Sequence, residues 1–138
     1  PAASGILRFT ATMPDIDGTA EVRDVAGQVC VYVHVPEGDS FGCHPLDAIE
    51  SGHAWSAAAA SSNSATLITG LTQLSIGFRV LVGDETVVPD ANGFWYVVLP
   101  PGASEFTIVT DREVIPVNLV ESSPLVPPAT TTTTAIRP

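Results

Sequence analysis

The segment QVCVYVHV, Gln28–Val35, decides the fold class. Val29, Val31, Val33 and Val35 fall on one side of an extended chain, and Cys30, Tyr32 and His34 on the other. Successive side chains of a strand point to opposite faces, so this period of two marks a strand with one face turned to a core. The β-branched valines fit a pleated surface and lose rotamer freedom in a helix.

The same period recurs on both sides. Upstream, AEVRDV (20–25) leads into the segment through a turn at Ala26-Gly27. In GILRFTATM (5–13), Leu7, Phe9, Ala11 and Met13 share one face; Arg8, Thr10 and Thr12 share the other. Downstream, SATLITGL (64–71) is followed by LSIGFRVLVG (74–83), where Leu74, Ile76, Phe78, Val80 and Val82 make an apolar stripe. Gly83-Asp84-Glu85 predicts a hairpin into TVV, and PDANG (89–93) predicts a second turn, because Asn and Gly tolerate positive φ. FWYVVL (94–99) is apolar on both faces, which predicts a central strand or one whose second face is covered. EFTIVT and EVIPVNLV form a last hairpin around Asp111-Arg112. PEGDSFG (36–42) reads as a turn-rich loop. PLDAIESG (45–52) predicts one or two helical turns, with proline at the start and Gly52 closing the end. WSAAAASS (55–62) fits helix, strand or loop.

About eight or nine short strands with turns every 8–12 residues predict an all-β, Ig-like β-sandwich with one short helix. The domain is expected over residues 1–121, with 1–13 a candidate detachable strand. Residues 122–138, SSPLVPPATTTTTAIRP, are Pro/Thr-rich and predict an extended stalk or linker. Thr130, Thr131, Thr132, Thr133 and Thr134 are candidate O-glycosylation sites there. The chain begins at Pro1 without a secretion leader, as a mature form or an excised piece would.

Charge narrows the partners. The 138 residues hold 5 cations, all arginine, against 15 acids, for a net charge of −10. A phosphate backbone or an anionic membrane needs a basic footprint, so nucleic acid and direct membrane insertion are not expected. The acids are scattered and read as a solvated surface.

Both cysteines and two of the three histidines lie in residues 29–45. A disulfide between Cys30 and Cys43 would close a loop of about 14 residues, worth about 3 kcal/mol in the chain-entropy model. It would also place the chain in an oxidising compartment. The competing assignment is a metal site using Cys30, His34, Cys43 and His44. Zinc sites pinch the ion with C-x₂₋₄-C and H-x₃₋₅-H spacings, which are absent. Cys30 and His34 on one strand stand about 13 Å apart. A disulfide is therefore expected, with no metal and no cofactor.

Other chemistry is sparse. A Cys–His nucleophile needs an unpaired thiolate. No G-x-S-x-G or P-loop occurs, so no catalytic residue is assigned and the chain is not expected to be an enzyme. His53 beside Trp55 reads as a loop histidine. DIDG (15–18) begins like a calcium loop, but the fifth and twelfth positions are Thr19 and Ala26. A turn is expected there, with a weak calcium site at Asp15 and Asp17 left open. Leu7, Phe9, Ala11, Met13, Trp95 and Tyr96 are the candidate partner-binding residues.

The run TLITGL…FRVLVGDETVVPDANGFWYVVLPPGASEFTIVTDREVIPV, preceded by GCHPLDAIESG, resembles the extracytoplasmic β domains of uncharacterised secreted or membrane-tethered proteins of high-GC bacteria. The resemblance spans residues 27–117 and rests on turn and strand patterns. It implies no catalytic or ligand residue. It implies an extracellular or cell-surface location and a Thr-rich spacer. The expected function is a non-enzymatic recognition or spacer module with protein partners. The alternative is a pilus-like filament subunit whose N-terminal strand completes a neighbour's sheet.

Overall fold

The computed structural model describes residues 5–59 and 65–119. Its strands are β1 (Ile6–Met13), β2 (Gly18–Val25), β3 (Gln28–Val35), β4 (Gly38–His44), β5 (Trp55–Ala59), β6 (Thr66–Leu71), β7 (Arg79–Val82), β8 (Glu85–Val87), β9 (Phe94–Leu99), β10 (Glu105–Val109) and β11 (Val114–Asn118). One helix, α1 (Leu46–Ser51), and two 3₁₀ turns, Pro14–Ile16 and Leu74–Ile76, complete the described elements. All eight ladders are antiparallel. They form three sheets, ordered β1-β2-β3-β4, β5-β6-β9 and β11-β10-β7-β8. The chain is all-β as its alternation implies, with eleven described strands where the sequence implied eight or nine.

Local chemistry explains most boundaries. Val25 pairs with Gln28, so Ala26 and Gly27 alone turn the chain. Their φ angles are 52° and 85°, the two positive values that a tight primed hairpin turn requires. In α1, Asp47 lies in the first turn, and Gly52 at φ 86° caps the last by donating its N–H to the Ala48 carbonyl. Ala57, Ala58 and Ala59 belong to a strand, β5, held by β6.

Two expectations are corrected. Residues 38–44 are a strand rather than a loop: Gly38 to His44 pair with Val35 back to Val29. Gly, Asp and Ser have low strand propensity, but the ladder with β3 overrides it. The Leu74-to-Val82 stripe is broken. Leu74–Ile76 is a 3₁₀ turn, Gly77 follows at φ 66°, and only Arg79–Val82 is strand. The Asp111 N–H donates to the Ile76 carbonyl at 2.8 Å, which ties that turn to the β10–β11 connection instead of to a ladder.

The three sheets stack, and the middle one (β5-β6-β9) is apolar on both faces. Leu67, Leu71 and Phe94 pack with Ala20, Val22, Val29, Val31 and Val33 of the first sheet. Ile68, Trp95, Val97 and Leu99 pack with Val80, Phe106, Ile108 and Val117 of the third. Strand alternation separates the two sets, so they occupy opposite faces of the middle sheet. This is why FWYVVL is apolar throughout. Gly70 makes room within the second layer: a Cβ there would meet the Trp95 indole at 2.4 Å.

Two of the six edge strands, β1 and β11, are blunted. β1 carries a bulge at Arg8, between the Leu7–Arg23 and Phe9–Val22 pairs. β11 carries Pro116, which has no N–H to offer. The expected tail, 122–138 with Thr130–Thr134, lies outside the described residues, as do residues 1–4 of the N-terminal segment.

Candidate functional site

Two open depressions flank α1. One, of about 610 Å³, lies between the helix, the 3₁₀ turn after β6 and the β10–β11 turn. Asp47, Glu50, Asp111 and Glu113 line it, with Arg112 as the one opposing cation. The other, of about 450 Å³, lies between the helix, β1, β2 and the loop leading to β9. Its accessible surface is mostly polar: Arg8, Glu50, Thr72, Gln73 and Asn92 line it beside Phe9, Leu46 and the buried Ile49. Glu50 and Gln73 line both depressions, which adjoin at these two side chains as a two-part trough whose first half is acidic and whose second is mostly polar.

The helix produces this division. Leu46, Ile49 and Glu50 stand three and four residues apart and meet the second half. Asp47, Glu50 and Ser51 repeat that spacing one position on and meet the acidic half. Leu46 is 54% exposed and forms a wall, whereas Ile49 is buried beneath it.

The rim is held by hydrogen bonds. The Thr110 hydroxyl accepts the Arg112 and Glu113 N–H groups at 3.2 Å each, shaping the acidic turn. His53 Nε2 lies 3.2 Å from Glu113 Oε1. On the other side, Asp90 Oδ1 accepts the Asn92 and Phe94 N–H groups at 2.8 and 3.0 Å. The Thr72 N–H donates to Gly93 at 2.9 Å. Arg8 reaches Asp24 at 3.5 Å.

Cys30 and Cys43 form the expected disulfide. They are directly opposed residues of β3 and β4, so the bond staples two paired strands rather than a strand and a loop. The rival ligands are separated by the pleat. His34 stands on the Cys30 side and pairs with Asp39 at 3.0 Å. His44 points inward, where burial pushes its pKa below 6.5. Among the described residues, no group of three His, Cys, Asp or Glu side chains is placed to hold a metal ion. Asp17, at φ 53°, ends the 3₁₀ turn of DIDG. Asp15 accepts the Tyr96 hydroxyl, whose pKa is raised to about 12 by desolvation and by that carboxylate.

The candidate partner residues scatter. Met13 and Trp95 are core, at 0% and 2% exposed. Phe9, Ala11 and Tyr96 are half-buried against the first cluster. The bulge at Arg8 turns Leu7 away from Phe9, Ala11 and Met13, and Leu7 is exposed. The trough was not legible in advance: its residues come from six separated segments, whose local signals gave strands and turns but not their spacing. Nor was a second surface feature, the stacked Tyr32–Phe41 pair on the outer face of β3 and β4, with ring centroids 5.6 Å apart. Pairing Tyr32 with Phe41 required β4 to be a strand.

Comparison with known proteins returned no matching family model, no matching curated protein and no matching solved structure. Among the described residues no helix is long and apolar enough to cross a membrane.

Proposed function

We propose that the chain is a non-enzymatic recognition module of the extracellular space or cell surface, binding a protein partner in the trough beside α1. The trough carries this proposal: it is the concave surface on which polar side chains of α1, the 3₁₀ turn after β6 and the β10–β11 turn converge. The disulfide suits an oxidising compartment. The resemblance to extracytoplasmic domains points the same way, with residues 1–121 as an Ig-like module in the broad sense of stacked antiparallel sheets. Residues 122–138 would then be its stalk.

Panning a random peptide library on the immobilised protein tests this. Motifs enriched on the wild type and lost on Leu46→Ser support the trough. Identical enrichment on both proteins would overturn it.

The filament alternative rests on β1, an outermost strand with an exposed start. Against it, β1 pairs with its own β2 at seven positions, places Met13 in the core and carries the bulge. Donation would require exchange between subunits. Thr10 and Glu21 are paired, so Thr10→Cys/Glu21→Cys would lock β1 in place. Filaments in electron micrographs of the wild type that vanish in the locked variant would favour polymerisation over recognition.

A further inference from the structure

We infer that β4 is a self-association edge: two copies of the chain pair their β4 strands antiparallel about a two-fold axis at Phe41, joining two four-stranded sheets into one. This goes beyond the recognition proposal and uses neither half of the trough. β4 ends the first sheet, with β3 as its one ladder partner. Cys30 and Cys43 face each other with Cα atoms 4.0 Å apart, the close approach of a pair that exchanges no backbone hydrogen bonds. Such pairs alternate along an antiparallel ladder, so Tyr32–Phe41 and His34–Asp39 are of the same kind. The N–H and C=O groups of Asp39, Phe41 and Cys43 therefore point away from β3, and they have no hydrogen-bond partner among the described residues. β5 does not cover them. It lies behind β4, where a Cβ on the inward side of Gly42 would meet the Ser56 hydroxyl.

An open edge is a template for another strand, and proteins blunt it where pairing is to be avoided. β1 has its bulge and β11 its proline; β4 has neither. It is also the longest of the four remaining edge strands, and its central residue, Phe41, is 67% exposed. A second copy fits this edge in one full-length register. Phe41 then opposes the second copy's Phe41, and Asp39 opposes the second copy's Cys43. These three outward-facing pairs exchange about six backbone hydrogen bonds. The Tyr32–Phe41 stack continues across the axis as a row of four rings. No like charges are opposed, because the two Asp39 residues stand about 13 Å apart along the strands, and each has His34 beside it at 3.0 Å. The contact is isologous and closes on itself, so it makes a dimer and no filament.

Sedimentation velocity and amide exchange followed by NMR, both on the full chain, test this. The interface is one strand wide, so the Kd should be on the order of 100 μM. Each copy carries −10, so raising NaCl from about 50 mM to about 500 mM should tighten the dimer about threefold by screening the repulsion. Between about 50 μM and about 1 mM protein, the Asp39, Phe41 and Cys43 amides should slow about twofold or more. The Ser40 and Gly42 amides face β3 and serve as the reference. Phe41→Lys sets two ammonium groups face to face and should weaken the dimer about tenfold, although it makes each chain less negative. Val114→Lys adds the same charge at an exposed position of β11 and should leave the Kd within about twofold. Both side chains are exposed, so the fold should survive, with far-UV circular dichroism as the check. A wild type that stays monomeric at about 1 mM in about 500 mM NaCl would overturn the inference. So would a dimer whose three outward amides exchange as in the monomer, or one that Phe41→Lys leaves intact.

Discussion

At the scale of single residues, three side chains hold positions whose cost or gain can be measured. Ala26 occupies φ 52°, a left-handed conformation that costs a residue with a Cβ about 1 kcal/mol. Asparagine tolerates that conformation and completes the Asn-Gly pair that such hairpins favour. Ala26→Asn should raise stability by about 0.5–1 kcal/mol in urea unfolding; a loss would show the turn relaxes out of this geometry. Tyr96 binds Asp15 across the gap between the first sheet and the middle one. Its pKa is about 12 in the fold against an ordinary 10, so the neutral phenol is preferred in the native state. The resulting stability is whole below pH 10 and is lost as pH rises toward 12. Tyr96→Phe should cost about 1 kcal/mol at neutral pH and remove that part of the alkaline decline. His44 has the opposite sense. Its pKa lies below 6.5, so the fold disfavours the charged ring. Stability should be full above pH 6.5 and fall as the pH drops through the folded value. His44→Gln should flatten that limb in pH-dependent denaturation.

At the scale of elements, β3 and β4 show why the sequence was only partly legible. QVCVYVHV declares itself because every second residue is valine. GDSFGCH does not: its inward positions are Ser40, Gly42 and His44, and none is an apolar residue. That strand exists because β3 supplies a ladder and Cys43 a covalent tie, both non-local. The Leu74-to-Val82 stripe fails for the opposite reason. Its period is correct, but a hydrogen bond from the distant Asp111 captures the first half as a turn. The trough lay further from reach, since it consists of the spacing between elements and not of any one of them. The staple itself can be weighed. Cys30 and Cys43 are separated by 13 positions, so opening their bond should cost about 3 kcal/mol by loop entropy. Cys30→Ala/Cys43→Ala should lower the urea midpoint accordingly while keeping the far-UV β signal. Loss of that signal would mean that β4 depends on the bond for its pairing.

At the scale of the whole molecule, one sheet serves two cores. Leu67 and Ile68 are adjacent in β6, yet Leu67 packs toward the first sheet and Ile68 toward the third. Both are essentially fully buried, so truncation at either leaves a cavity and costs about 2–5 kcal/mol. The two layers share the middle sheet, which cannot lose one face and keep the other ordered. Its β9 has a ladder on one side alone and relies on packing from both faces. Leu67→Ala and Ile68→Ala should therefore each lower a single, shared transition instead of melting one layer first. Separate reporters exist: Trp55 and Trp95 belong to the layer facing the third sheet, while Tyr32 and Tyr96 lie on the side of the first. Tryptophan fluorescence and near-ultraviolet tyrosine absorbance should give superimposable unfolding curves for the wild type and both variants. Calorimetric and van't Hoff enthalpies should agree. Curves that separate in Leu67→Ala but not in Ile68→Ala would show the first sheet to be an independent unit.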